Sequence, residues 1–476
     1  MVSEITVNYK EDQPCVTIAK KRLRAGVEQL RRQFGDQPAG AIKAVLPAKL
    51  VEQVLEQEVG KHRERIYPPL TTLGLFIGQA LSPDGACQDA VARNLAERTS
   101  QGQAACSLSS GPYCNARKRL PVKLIERLAA AVGDRLEAAS PAKWRWRGRS
   151  VKLVDGTTIS MPDTKDNQKV YPQSGTQKPG LGFPLAMLVG VISLSTGAVL
   201  RWALGPCRGK HTGEQALLRT LMPELEAGDI ILVDRYHCNY FTAALLIERG
   251  VDLVTRQHQR RITDFRYGKR LGKRDQLVDW VRPQRPSWMD PETYARMPER
   301  IPMRQTESGG LIVVTTLTDA RAVSRLDLKA LYSRRWQVEV DLRSIKAVMG
   351  MDILRAKSAA MIQKEIAAYL LAYNLVCALM TRSAAVNHIT PRALSFKTTL
   401  QLLLAFQSQL RRASRTSVRR MTAILLGAIG CSRLPFRPGR VEPRAIKRRP
   451  KNHLLLTVSR AIARDNIRQS RSSKPA

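Results

Sequence analysis

The sequence predicts an α/β core flanked by a helical N-terminal region and a helical, basic C-terminal region. Three observations predict it. From Trp144 to about Gln257, strand-like runs alternate with helical ones, the pattern of a sheet with parallel and antiparallel members. Before Trp144, apolar residues recur at helical spacing. From Arg411 onward, 18 Lys and Arg face only Glu442 and Asp465.

The elements follow in order. Ala19–Phe34, Ala41–Val59, Pro68–Leu81 and Val122–Ala138 read as helices; Leu124, Ile125, Leu128 and Leu136 line the apolar side of the last. Thr99–Pro112, rich in Ser, Gly and Gln, reads as a loop. Ser150–Met161 is strand-like through Val154 and then meets Asp155-Gly156, a good turn pair. Pro184–Ile192 and Ala198–Leu204 form a hairpin around Ser195-Thr196-Gly197. Thr212–Leu225 is a helix with Thr212 as its cap. Asp229–Val233 is a continuous apolar strand of the doubly buried kind. Tyr240–Arg249 is a helix closed by Gly250, and Val251–Thr255 is a further strand. Arg260–Thr318, dense in Pro and Gly, reads as a β-rich insertion that ends in the strand Leu311–Leu317. Asp327–Met349 and Met361–Thr381 are long helices. This divides the chain into residues 1–143, a helical region; 144–380, an α/β domain with an insertion at about 258–320; and 381–476, a helical and basic region.

The net charge of +38 over 476 residues selects a polyanionic partner. A field of this size attracts nucleic acid without sequence preference. The apolar fraction of 43% excludes wholesale disorder. The first residues hold no apolar run, so no secretory leader is expected. No membrane span is expected either: Phe183–Leu200 is broken by Gly and Ser, and Glu365–Met380 reads as a buried helix. Eight scattered cysteines lack zinc-finger spacing and suit a reducing cytoplasm.

The helix at 327–349 carries Tyr332, Arg335, Glu339 and Lys346, which share one face about 60° wide at 100° per residue. Arg343 joins that face, and Asp341 points away. Arg and Lys suit phosphate oxygens. One carboxylate on a DNA-facing surface would be repelled unless a divalent cation lay between, so Glu339 is a candidate metal ligand. Arg335 and Glu339 also read as a salt-bridged i, i+4 pair. Two further acids follow strand-like runs: Asp155 after Val151–Val154, and Asp234 after Ile230–Val233. Ligands of open α/β sheets gather outside such strand ends. Two Asp and one Glu would form an all-oxygen site suited to magnesium or manganese.

These motifs resemble those of the DDE transposases of insertion sequence family four. The helix matches that family's Tyr-Arg-Glu-Lys signature at all four positions. DGTTISMPD (Asp155–Asp163) resembles its first-Asp region, and GKHTGEQALLRTL with DIILVDRYHCNYF its second. VEPRAIKRRPK (Val441–Lys451) is similar to the basic segment near the C-terminus of many such enzymes. The resemblance covers about Trp144 to Met380. It implies an RNase H-like catalytic core with a β-rich insertion. It implies Asp155, Asp234 and Glu339 as catalytic acids holding two Mg2+ ions, with Mn2+ able to substitute. Tyr332, Arg335 and Lys346 would contact the transposon end, with Arg343 beside them as a DNA contact. The implied chemistry is cut-and-paste transposition: nicking, hairpin formation, hairpin opening, and strand transfer into target DNA. A homodimer on paired terminal repeats is expected, in the cytoplasm at the bacterial nucleoid. A Trp of the insertion, Trp280 or Trp288, could stack on a flipped base, but packing in the core is the expectation for each. Trp336 is expected to pack on the sheet, and His211 and His237 to be structural. Two other functions are compatible with the residues: a nuclease of the same fold that does not join strands, and a non-catalytic basic DNA-binding protein.

Overall fold

The computed structural model describes residues 24–31, 34, 41–62, 65–209, 212–435 and 456–472. His211, Val441–Lys451 and residues 19–23 of the first expected helix lie outside them. The chain divides into two compact units: one of Met1–Leu136, Ala367–Ile389 and Phe396–Ser432, the other of Glu137–Ile366, Thr390–Ser395 and Arg433–Ala476.

The first unit is helical. The single helix expected over Ala41–Val59 is two, Ala41–Val45 and Ala48–Glu58. Pro47 divides them, because it has no N–H to donate and disfavours helical backbone in the residue before it. Pro69–Leu81 is buried at most positions, as a central helix must be. Two helices, Cys87–Ser100 and Gly111–Arg119, were not expected. Each buries only two or three side chains, too few to imprint a periodic pattern. The expected loop is correspondingly shorter, since Gly111 and Pro112 open the second of these helices. One helix among the described residues, Ala359–Val386, is long and apolar enough to cross a membrane, and its most apolar window is 94% buried inside the protein. That is the burial of a core helix.

The second unit carries one nine-stranded sheet. Its strands are β1 (Val151–Ser160), β2 (Leu185–Ser193), β3 (Val199–Pro206), β4 (Ile230–Leu232), β5 (Asp252–Arg256), β6 (Lys269–Gly272), β7 (Asp275–Val281), β8 (Arg300–Ser308) and β9 (Leu311–Thr315). The spatial order is β3-β2-β1-β4-β5-β9-β8-β7-β6. β3, β2 and β1 are antiparallel neighbours, and β1, β4 and β5 run parallel. The expected hairpin is present as β2–β3, closed at Gly197 with φ +81°. The region read as an insertion extends the sheet through antiparallel β9, β8, β7 and β6.

Several local expectations fail for physical reasons. The strand expected over Ser150–Met161 is present as β1, but it does not end in a turn at Asp155-Gly156: it runs straight through, pairing Asp155 with Gly190 and Gly156 with Val189. The helix expected from Thr212 is Glu214–Leu221, with Gly213 at its N-cap and no side-chain cap bond. The helix at 327–349 is not uniform. It runs as α-helix Arg325–Ser333, a 3-10 turn Arg334–Trp336, α-helix Gln337–Arg343 and a π-helical turn Ser344–Val348. Its start is fixed by a capping box between Ser324 and Asp327.

Candidate active site

The last parallel pair of β1 and β4 is Leu153 with Leu232. Asp155 and Asp234 each lie two residues beyond it, in matching register. Neighbouring strands are about 4.8 Å apart, so Asp234 leaves the end of β4 next to Asp155, which stays in the sheet opposite Gly190. β4 stops there, while β1 continues on its β2 side. Asp234 caps the turn Arg235–His237, its Oδ1 accepting from the Tyr236 N–H at 2.8 Å. The Thr255 hydroxyl holds the Asp234 carbonyl at 2.7 Å.

The interrupted helix supplies the rest. Arg335 donates from Nη2 to Glu339 Oε1 at 2.5 Å, and its Nη1 lies 3.5 Å from Asp155 Oδ2. One guanidinium therefore touches the acid of the strand and the acid of the helix. Tyr332 is half-buried beside Asp234 and Arg335; burial pushes its phenol up, against the pull of Arg335. Lys346 Nζ donates to Thr157 Oγ1 at 2.9 Å and to the Thr158 carbonyl at 2.8 Å, which ties the π-helical turn to β1 just past Asp155.

Asp155 is pushed up to about 6. Burial contributes most and the charge of Glu214 next, with Asp234 adding; the Gly156 N–H and Arg335 oppose them. Too many negative groups share this end of the sheet for one guanidinium to neutralise, and a buried carboxylate responds by holding its proton. Among the described residues, no three Asp, Glu, His or Cys side chains are gathered at one metal position. Arg335 supplies the local positive charge.

Of the seven expected site residues, Arg335 bridges Asp155 and Glu339, and the charge of Asp234 is felt by both Asp155 and Tyr332. Lys346 borders them, and Arg343 is exposed. Asp341 points away as expected, buried against Arg392 at 2.6 Å. Trp336, expected to pack on the sheet, is instead 57% exposed, in the 3-10 turn. Trp280 is buried under Arg261, and Trp288 packs against Phe241 with Arg219 over its ring, so both belong to the core. His237 is fully buried, with Nε2 3.0 Å from Glu214 Oε1. Sequence reasoning missed Glu214, which lies far from both aspartates along the chain.

Residues 146–375 match the family described as Transposase DDE domain. Over 352 residues the chain is 27% identical to the transposase InsG for insertion sequence element IS4 of Escherichia coli (strain K12), covering 70% of this chain and 76% of that protein. It is also similar to a solved piggyBac transposase synaptic complex with hairpin DNA, at TM-score 0.42 and 10% identity, over 88% of this chain and 87% of that one.

Proposed function

We propose that the chain is a DDE transposase of insertion sequence family four, with Asp155, Asp234 and Glu339 as its metal-holding acids. As such an enzyme it binds DNA, cleaves strands and joins them. The observation that carries the assignment is the single guanidinium of Arg335 bound to both Asp155 and Glu339, where Asp234 follows the end of β4 and adds its charge beside Asp155. The order β3-β2-β1-β4-β5, antiparallel and then parallel, supports an RNase H-like core.

Asp155, Asp234 and Glu339 offer only oxygen donors, the chemistry that suits a hard divalent cation, and would draw together around one, since they are not gathered at one position in this structure. When bound, two Mg2+ ions, or Mn2+ in their place, supply the charge that activates the attacking oxygen and stabilises the leaving one. The chain's own residues orient the DNA. Lys346, fixed on Thr157 and Thr158, presents its ammonium beside Asp155. Arg335, Tyr332 and the exposed Arg343 complete a phosphate-binding face at the transposon end. Water first attacks the phosphodiester. The freed 3′-OH then attacks the opposite strand to form a hairpin, which opens before strand transfer into target DNA. The enzyme works as a homodimer on paired ends at the bacterial nucleoid. Residues 1–143 and 381–476 provide further DNA contact, the latter also dimerisation.

The test is an end-bearing oligonucleotide with Mg2+ and a supercoiled target. Hairpins and joined products are expected. Nicks alone would favour a non-joining nuclease, and cleavage that survives Asp155→Ala would remove that residue from the site.

A further inference from the structure

Gly156 follows Asp155 in the middle of a strand, where β1 pairs with β2. No turn requires a glycine there. The space explains it: a Cβ at Gly156 would lie 2.9 Å from Glu214 Cδ, 3.0 Å from Cγ and 3.1 Å from Oε2. The Glu214 side chain therefore lies directly on the backbone of β1, against the residue after Asp155. Its other carboxyl oxygen, Oε1, meets His237 Nε2 at 3.0 Å. His237 is fully buried and ends the turn that Asp234 begins. The neighbouring Gln215 donates from Nε2 to the Tyr236 carbonyl of that same turn at 2.7 Å.

One helical turn thus grips both aspartate-bearing segments. Glu214 and Gln215 fasten the Asp234–His237 turn, and Glu214 reaches across to β1. β1 and β4 stop pairing at Leu153 and Leu232, so no backbone bond between these two strands fixes Asp155 relative to Asp234. We propose that Glu214 is a positioning residue for the DNA-cleavage reaction: wedged between Gly156 and His237, it sets the spacing of Asp155 and Asp234. Gly156 is the space that this wedge requires. The inference rests on the assignment of Asp155 and Asp234 as catalytic acids.

A double-mutant cycle with Gly156→Ala and Glu214→Ala tests it, with cleavage of an end-bearing duplex, end binding and Mn2+ affinity by calorimetry measured on the full chain. Gly156→Ala should lower cleavage at least tenfold and Glu214→Ala about tenfold, each with end binding within twofold of the parent. Removing the wedge also removes the collision, so the double variant should cleave no worse than Glu214→Ala alone. Both single variants should weaken Mn2+ binding, a readout that loss of a remote packing contact would leave in place. Glu214→Gln keeps an oxygen acceptor and similar bulk, and should recover most of the activity lost in Glu214→Ala. Fully multiplicative losses in the double variant would overturn the proposal. So would Glu214→Ala with unaltered cleavage and Mn2+ affinity. Thermal melts identify any variant that fails to fold, and Gly156→Ala is then measured at reduced temperature under the same criteria. Asp155→Ala run alongside separates the failures. If it abolishes cleavage while the cycle is multiplicative, only the role of Glu214 falls; if it leaves cleavage intact, the assignment of the acids falls.

Discussion

Two arginines in the same sheet-bearing unit face acids in opposite ways. Arg304, on β8, is fully buried and pairs bidentately with Asp275 of β7 at 2.8 and 2.6 Å. Its remaining donors reach the Val323 and Asp319 carbonyls at 2.7 and 3.5 Å. One charge meets one charge, and the donors are used. Arg335 is shared between Asp155 and Glu339, with Asp234 and Glu214 adding negative charge nearby. In the extension of the sheet the charges balance. Around Asp155, beside the end of β4, they do not. A buried ion pair that is complete holds strands together; one that is incomplete leaves acids able to take a further cation.

Substitutions should divide accordingly. The largest effect is expected at the incomplete site. Asp155→Ala, Asp234→Ala and Glu339→Ala should each lower cleavage by about a thousandfold or more, the scale of losing a group that stabilises charge at a reacting centre. End binding and thermal stability should be largely kept. Cleavage retained in any one of the three would move that acid to the structural class of Asp275.

Arg304→Ala should show the opposite signature. It leaves Asp275 buried without its partner, a loss of about 3–5 kcal/mol in stability. Chemical denaturation measures it. A variant as stable as the parent would mean that the pair is not holding β7 to β8.

A smaller effect is expected from pH. In divalent-free buffer Asp155 takes up a proton near pH 6 in the folded chain, against an ordinary value of 3.8. Between those values the folded state binds more protons than the unfolded one. Stability therefore falls as pH rises from about 4 to about 6 and levels off above. Asp155→Asn should remove that fall, as seen in melting temperature against pH. An identical profile in the variant would place the charge imbalance elsewhere.

The smallest effect concerns the DNA face. Arg335→Ala and Lys346→Ala should each lower the salt dependence of end binding by about one unit, if each neutralises one phosphate. Titration of end affinity against salt reads this directly, and an unchanged slope would take that residue off the DNA.

Much of this was legible in the sequence, because it is local. The apolar run before Asp234 marks β4, and the Ser195-Thr196-Gly197 turn marks the β2–β3 hairpin. The Tyr332, Arg335 and Glu339 grouping survives because it spans few helical turns. What failed depends on distant contacts or on uneven helical geometry. Asp155-Gly156 has the composition of a turn, but β2 and Glu214 decide its conformation from elsewhere in the chain. A wheel at constant pitch cannot show the 3-10 turn that holds Trp336 or the π-helical turn that holds Lys346. Glu214 carries no local mark at all, since its importance comes from what it touches.

The central claim is that three acids here hold divalent ions. Calorimetric titration of Mn2+ into the full chain with an end-bearing duplex tests it most directly. The parent should bind Mn2+, and Asp155→Ala, Asp234→Ala and Glu339→Ala should each weaken that binding at least tenfold while the duplex stays bound. Mn2+ affinity unchanged across all three variants would contradict it.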